Sequence, residues 1–295
     1  MRVFVTGATG FIGMTLTREL IEAGHQVVGV YRSEEKARAL AALGAELYRG
    51  SIAEPESLAE GAAGADAVVH LAFNHDFSRF VQNCEDDRAV VATLGAALAG
   101  SGRPLIVTSG TPIANSIPGE PAKEGNPILS SAIHPRAATE EAGNAVAAAG
   151  GNVVVVRLPQ VHNTRRFGLV SPVIQMYREK GACFYVGDGA VRWPAVHYLD
   201  VGRLYRLVVE RGEPGGRYHA VGEEGVPMRA MAETISRRLD LPVKSIAPEE
   251  APAYFGWLAG FAATDAPASS AETRARLGWT PTGPGIIADL EQMEA

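Results

Sequence analysis

A chain of 295 residues, 46% hydrophobic and 20% charged, has the make-up of a packed globular protein of one or two domains. A net charge of −6 argues against nucleic-acid binding, and no apolar run approaches the ~18 residues of a membrane span. The two cysteines, Cys84 and Cys183, lie far apart without CxxC spacing, which gives neither a disulfide framework nor a metal site and suits a reducing cytoplasm.

Strands are expected at residues 3–6, 26–31, 46–48, 67–71, 105–108 and 153–157. Most are continuous Val/Ile/Leu runs, as strands buried on both faces require. Helical patterns fall between them at 11–22, 34–43, 55–62, 86–99 and 136–149. This alternation predicts an α/β fold, a doubly wound parallel Rossmann sheet. Beyond residue 157 the pattern loosens, with helices at 170–180, 200–210 and 228–239 and short strands at 183–186 and 217–220. The chain is therefore read as a dinucleotide-binding core, 1–158, and a smaller substrate-binding or lid region, 159–295, interleaved with the core across a soft boundary. Tyr254, Phe255, Trp257 and Phe261 stand between Pro-rich turns and are expected to cover the pocket.

The segment Thr6-Gly7-Ala8-Thr9-Gly10-Phe11-Ile12-Gly13 leaves the first strand and opens the first helix. There the first glycine permits a tight turn, the second lets backbone N–H groups approach a pyrophosphate, and the third lets helix pack on strand. The phosphates then sit at the positive end of the helix.

Four further landmarks follow in order: His70-Leu71-Ala72, Arg157-Leu158-Pro159, Val196-His197-Tyr198-Leu199-Asp200-Val201 and Leu277-Gly278-Trp279-Thr280-Pro281. Together with the TGxxGxxG loop they resemble the extended and atypical branches of the short-chain dehydrogenase/reductase superfamily along nearly the whole chain. The resemblance implies that Leu71, Ala72 and Phe73 line the cofactor. It places Thr108 at the same cleft, and Pro159, Gln160 and His162 near the nicotinamide. One adenine contact departs from the family: Gly50-Ser51-Ile52 stands where Gly-Asp-Leu or Gly-Asp-Val is usual, leaving Ser51 and Ile52 a weaker contact.

The end of the second strand selects the dinucleotide. An Asp or Glu there would bond the ribose hydroxyls and repel a 2′-phosphate. Here Tyr31 is followed by Arg32 and Ser33, with Lys36 close behind. A guanidinium takes a phosphate through two bonds and a serine adds one, so NADP(H) is the expected cofactor.

The superfamily's catalytic signature is altered. Arg136 stands where the tyrosine of YxxxK belongs, Glu140 where the lysine belongs, and Gly110 on the serine, with Ser109 and Thr111 as neighbours. An arginine is a poor general acid because it stays protonated, but it can stabilise an oxyanion. Glu140 is expected to accept bonds from the nicotinamide ribose. His75, at the mouth of the fourth strand, reads equally as a proton donor or a solvated loop histidine, and His162 and His197 as site or packing residues. The pattern is similar to an epimerase/dehydratase-like subgroup lacking the tyrosine. The leading expectation is an NADPH-dependent oxidoreductase acting on a small carbonyl or imine. The alternatives are a non-catalytic NADP(H)-binding sensor and a sugar-nucleotide epimerase or dehydratase. A small-molecule substrate is expected, with a homodimer left open.

Overall fold

The computed structural model describes residues 1–114 and 117–294. Its first half runs β1 (Arg2–Thr6), α1 (Phe11–Glu22), β2 (Gln26–Tyr31), α2 (Glu34–Ala42), β3 (Glu46–Arg49), α3 (Ala59–Ala63), β4 (Ala67–His70), α4 (Phe80–Ala97), β5 (Pro104–Gly110), α5 (Ala138–Ala148) and β6 (Asn152–Leu158). The second half adds β7 (Gln160–His162), α6 (Val170–Lys180), β8 (Cys183–Val186), β9 (Arg192–His197), α7 (Tyr198–Arg211) and β10 (Arg217–His219). It closes with β11 (Glu223–Pro227), α8 (Met228–Leu239), β12 (Val243–Ile246), α9 (Ala251–Phe255), α10 (Ala259–Ala262), α11 (Ala271–Leu277) and α12 (Ile286–Glu291).

Seven strands form one sheet in the order β10-β6-β5-β4-β1-β2-β3, and every pair in it is parallel. The chain winds outward in both directions from β1, so the crevice between β1 and β4 is the switch point at which doubly wound sheets bind ligands. Strand residues alternate between two cores. Val3, Val5, Ile106 and Val154 pack with α1 and α7 on one face, and Phe4, Val68, Leu105 and Val107 pack with α3, α4 and α5 on the other.

The C-terminal half is threaded back into this sheet. Tyr205, Val208, Tyr218, Leu277 and Trp279 all belong to the first core. Asp200 at the start of α7 accepts bonds from the Thr282 and Gly283 amides, and its carbonyl accepts the Trp279 indole N–H. The landmarks at 196–201 and 277–281 therefore form one clamp. The remaining residues build a third core around Tyr177, Phe184, Met231, Ile235 and Phe255, bordered by a three-stranded sheet, β11-β9-β7, and a two-stranded one, β12-β8. No helix among the described residues is long and apolar enough to cross a membrane.

Helix α4 begins at Phe80, six residues before the expected start at 86. Asn83 and Cys84 are buried on its inner face, inside a polar stretch that concealed the apolar period.

Candidate functional site

The glycine loop closes on itself at the switch point. Gly7 is left-handed at φ +68°, and a Cβ there would lie 2.8 Å from the Ala72 amide nitrogen. At Gly13 a Cβ would meet the Gly7 carbonyl at 2.1 Å and the Ala8 Cα at 2.7 Å. Gly10 is exposed, its N–H bonds the Gly7 carbonyl at 2.9 Å, and no side chain caps the first turn of α1. The loop thus offers open backbone donors at a helix N-terminus, and the pinched backbone admits no side chain at Gly7 or Gly13. These features fit a dinucleotide pyrophosphate.

The flanking residues are placed as follows. Thr9, Phe11 and Ile12 are half-buried on the loop, and the Phe11 ring stacks on Tyr198 at 5.1 Å. Arg32 and Ser33 are exposed beyond β2, and neither side chain has a bonding partner among the described residues. Ser51 is held in a local turn: its N–H bonds Ser57 Oγ at 3.0 Å and its hydroxyl accepts the Ala53 amide at 3.2 Å. Ile52 leans on the core beside Phe4, and Leu71 on the core beside Val5. Ala72, Phe73 and Pro159 are half-buried.

Behind the loop, a buried polar chain joins the ends of β1, β4 and β5. The Thr6 hydroxyl meets His70 Nδ1 at 2.7 Å, and His70 Nε2 lies 2.9 Å from Asp87 Oδ1. Asp87 on α4 also takes Arg136 Nη1 at 2.8 Å and the Thr139 hydroxyl. Arg136 Nη2 bonds the Thr108 carbonyl at 2.8 Å, and its guanidinium lies over the Phe73 ring at 4.2 Å. Burial opposes ionisation of Asp87, but the Arg136 charge, then His70, outweighs it and holds the carboxyl well below its usual range. The guanidinium is thus fixed, while Nε–H and one Nη2–H keep no protein partner among the described residues. Thr108 Oγ1 bonds the buried Tyr205 hydroxyl at 2.7 Å. Ser109 near the end of β5 and Thr111 just beyond it are 4% and 1% exposed, with hydroxyls that find no partner among the described residues.

Two expectations are corrected. Glu140 does not face the cofactor: it is fully buried, and its oxygens take Arg157 Nε at 2.7 Å and Nη2 at 2.9 Å. His162 is also fully buried, with Nδ1 on Asp289 at 2.7 Å, so the ring is not presented to the nicotinamide. Gln160 is half-buried, and its side-chain Oε1 accepts the Leu169 amide N–H at 2.7 Å. His75 does lie at the mouth of β4, exposed, with its ring edge-on to Phe73 at 5.4 Å. Although the residue reaches solvent, the Phe73 and Phe77 rings take part of the water from the imidazole, and this, then the Arg136 charge, lowers its pKa below the ordinary histidine value.

Sequence reasoning missed Asp87, Thr139 and Tyr205. Asp87 left a signal, because it sits on the buried stripe of α4 with Cys84, Val90, Val91 and Leu94. A carboxylate on an apolar stripe must find a cation and hydrogen-bond donors. Among the described residues no cluster of three or more His, Cys, Asp or Glu could hold a metal.

Residues 3–221 match the NAD dependent epimerase/dehydratase family, and the chain belongs to it. Fold, glycine loop and landmarks together define an NAD(P)-binding Rossmann protein of the short-chain dehydrogenase/reductase superfamily. Among its relatives, an uncharacterized protein of Schizosaccharomyces pombe is 42% identical over 98% of both chains. A 4-hydroxy-2-methyl-3-oxo-4-farnesyl-3,4-dihydroquinoline-1-oxide ketoreductase of Stigmatella aurantiaca is 30% identical over 77% of this chain and 70% of its own. A dTDP-glucose 4,6-dehydratase of Streptomyces venezuelae, solved with NAD, shares the fold at TM-score 0.77 and 20% identity, over 99% of this chain and 95% of its own.

Proposed function

We propose that the protein is an NADPH-dependent reductase of a small carbonyl or imine compound, with residues 159–295 supplying the substrate side. The observation that carries this reading is the buried chain from Thr6 through His70 and Asp87, which fixes Arg136 beside the glycine loop. Bound NADPH would supply hydride. Arg136 would offer its uncommitted N–H donors to the oxygen on which negative charge develops, and Asp87 and the Thr108 carbonyl hold that guanidinium still beforehand. Because Asp87 offsets part of its charge, Arg136→Ala is expected to lower turnover by about 10–100-fold, below the roughly 100–1,000-fold of a full oxyanion donor. Sugar epimerisation is disfavoured, because the tyrosine and lysine positions are occupied by arginine and glutamate tied into buried ion pairs. The ketoreductase among the relatives supports a reductase. Steady-state NADPH consumption over a panel of ketones, aldehydes and imines tests the proposal. Cofactor binding with no turnover anywhere in the panel would favour the sensor.

His75 is assigned the proton. Since its pKa is lowered, the charged acid is populated only on the acid side of the ordinary value, ~6.5. The rate of ketone reduction should therefore fall as pH rises through a limb below that value, and His75→Ala should flatten the limb. An unchanged profile in the variant would remove His75 from the chemistry. An iminium substrate already carries its proton and should show no such limb.

Arg32 and Ser33 are assigned to the 2′-phosphate. A charge-assisted contact of ~1.5–3 kcal/mol corresponds to roughly ten- to hundred-fold preference for NADP(H) over NAD(H). Calorimetric titration of both cofactors should show that preference and its loss in Arg32→Ala. Equal affinities in the wild type would reverse the assignment.

A further inference from the structure

Five rings stand in continuous contact at the mouth of the β4 crevice. Phe73 meets His75 at 5.4 Å and Phe80 at 6.4 Å, and Phe77 meets Phe80 at 5.7 Å and His75 at 6.2 Å. The fifth, Trp257, comes from the C-terminal segment and stacks on Phe77 at 4.2 Å with the planes 15° apart. Trp257 is 45% exposed, whereas its neighbours Phe255 and Leu258 are 1% and 0% exposed. Of the four aromatics in that segment, Tyr254 and Phe255 pack into the third core, against Phe184 and Tyr177 respectively. Gly256, at φ +50° and ψ −125°, makes the sharp turn between the buried Phe255 and the outward Trp257.

Trp257 stays half in water on a firmly anchored turn, two rings away from Phe73 through Phe77 and either His75 or Phe80, and offers a stacking surface. Its present occupant, Phe77, is the weaker-held member of the pair. Phe77 opens a three-residue turn and stands between exposed Asp76 and Ser78. Asn83 pins the backbone of that loop through the Asn74 and Asp76 carbonyls, so displacement needs only the side chain to rotate. The guanidinium over Phe73 has its charge balanced by Asp87, with only its Nε–H and one Nη2–H open, which leaves this ring cluster suited to a flat apolar body rather than to a diphosphate.

We propose that Trp257 is the platform on which a flat aromatic or conjugated carbonyl compound stacks, taking the place of Phe77, with its carbonyl toward Arg136. The carbonyl rests on the reductase reading above, whereas the flat ring does not. The proposal gives Phe77 and Trp257 opposite roles, as competitor and as platform, which a purely structural stack would not do.

The test is calorimetric titration of the NADP⁺-supplemented protein with 2-acetylnaphthalene and with cyclohexyl methyl ketone, in the wild type and in Trp257→Ala, Trp257→Phe and Phe77→Ala. Wild type should bind the aromatic ketone about tenfold more tightly, and Trp257→Ala should lose about tenfold for it alone, the scale of one aromatic pair. Trp257→Phe should keep most of the preference, and Phe77→Ala should bind the aromatic ketone equally or more tightly. Circular dichroism of each variant confirms the fold. No binding, no preference, unchanged affinity in Trp257→Ala, or equal weakening in Phe77→Ala would overturn the proposal. The preference without NADPH-driven reduction would sink the reductase reading alone. Reduction of both ketones without the preference would sink this inference alone.

Discussion

Asp87→Ala is expected to cost about 3–5 kcal/mol of folding stability, because it leaves the Arg136 cation largely buried without its counter-charge. For a chain of this size that corresponds to a fall of roughly 10 °C in Tm or more. The same change frees the guanidinium from the Thr6–His70–Asp87 chain, so turnover should fall even at temperatures where the variant is folded. The double variant Asp87→Ala/Arg136→Met should be more stable than the sum of the single changes by about 0.5–3 kcal/mol, since it removes the orphaned charge. The pH dependence has a definite sign. The folded carboxyl ionises at lower pH than in the unfolded chain, so its stabilisation is complete above the unfolded pKa of about 3.9 and fades as pH falls below it. The gap between wild type and Asp87→Ala should be widest at neutral pH and narrow in acid. Urea unfolding at several pH values measures it, and a constant gap would show that the ion pair is not its source.

The glycine loop carries the second large effect, and its glycines should separate by experiment. A valine at Gly13 would drive into the Gly7 carbonyl and Ala8 backbone, so Gly13→Val should lose about 3 kcal/mol or more and threaten the fold. Gly10 is exposed and opens α1, and a side chain there would stand where the pyrophosphate approaches. Gly10→Val should therefore stay folded while dinucleotide affinity falls roughly a hundredfold, equal to losing one or two charge-assisted bonds. Circular dichroism with calorimetric cofactor titration distinguishes the two. A folded Gly10→Val with full affinity would assign the loop another role.

How far the sequence predicted this architecture depended on how local each signal was. Helices α1, α6 and α8 were expected at their observed limits, because their apolar periods are complete within the segment. Strand β9 was not expected, since Pro194 reads as a breaker. The structure accommodates it where the pairing of β9 with β11 shifts register between Trp193 and Ala195, and β7 pairs only from Ala195 onward, so the missing N–H interrupts no regular ladder. Candidate site residues stand out in the sequence where the signal lies along the chain, as in the glycine loop and at Arg136. The site was illegible where chemistry depends on facing. Glu140 carried a role assigned by motif position, but its partner Arg157 comes from β6, and nothing in the linear order showed that the two meet. His162 was misread for the same reason, its partner Asp289 being 127 residues away. Asp87 could have been found from its place on the buried stripe of α4, though not its attachment to Arg136.

A dinucleotide held by the glycine loop is proposed to deliver hydride to a substrate beside Arg136. Incubation with NADPH deuterated at both C4 positions, followed by mass spectrometry of the products of a ketone, aldehyde and imine panel, tests it most directly. The account predicts one deuterium on the former carbonyl or imine carbon of at least one product, with a rate about 10–100-fold lower in Arg136→Ala. NADPH bound at full stoichiometry, with no deuterium in any product, would contradict it.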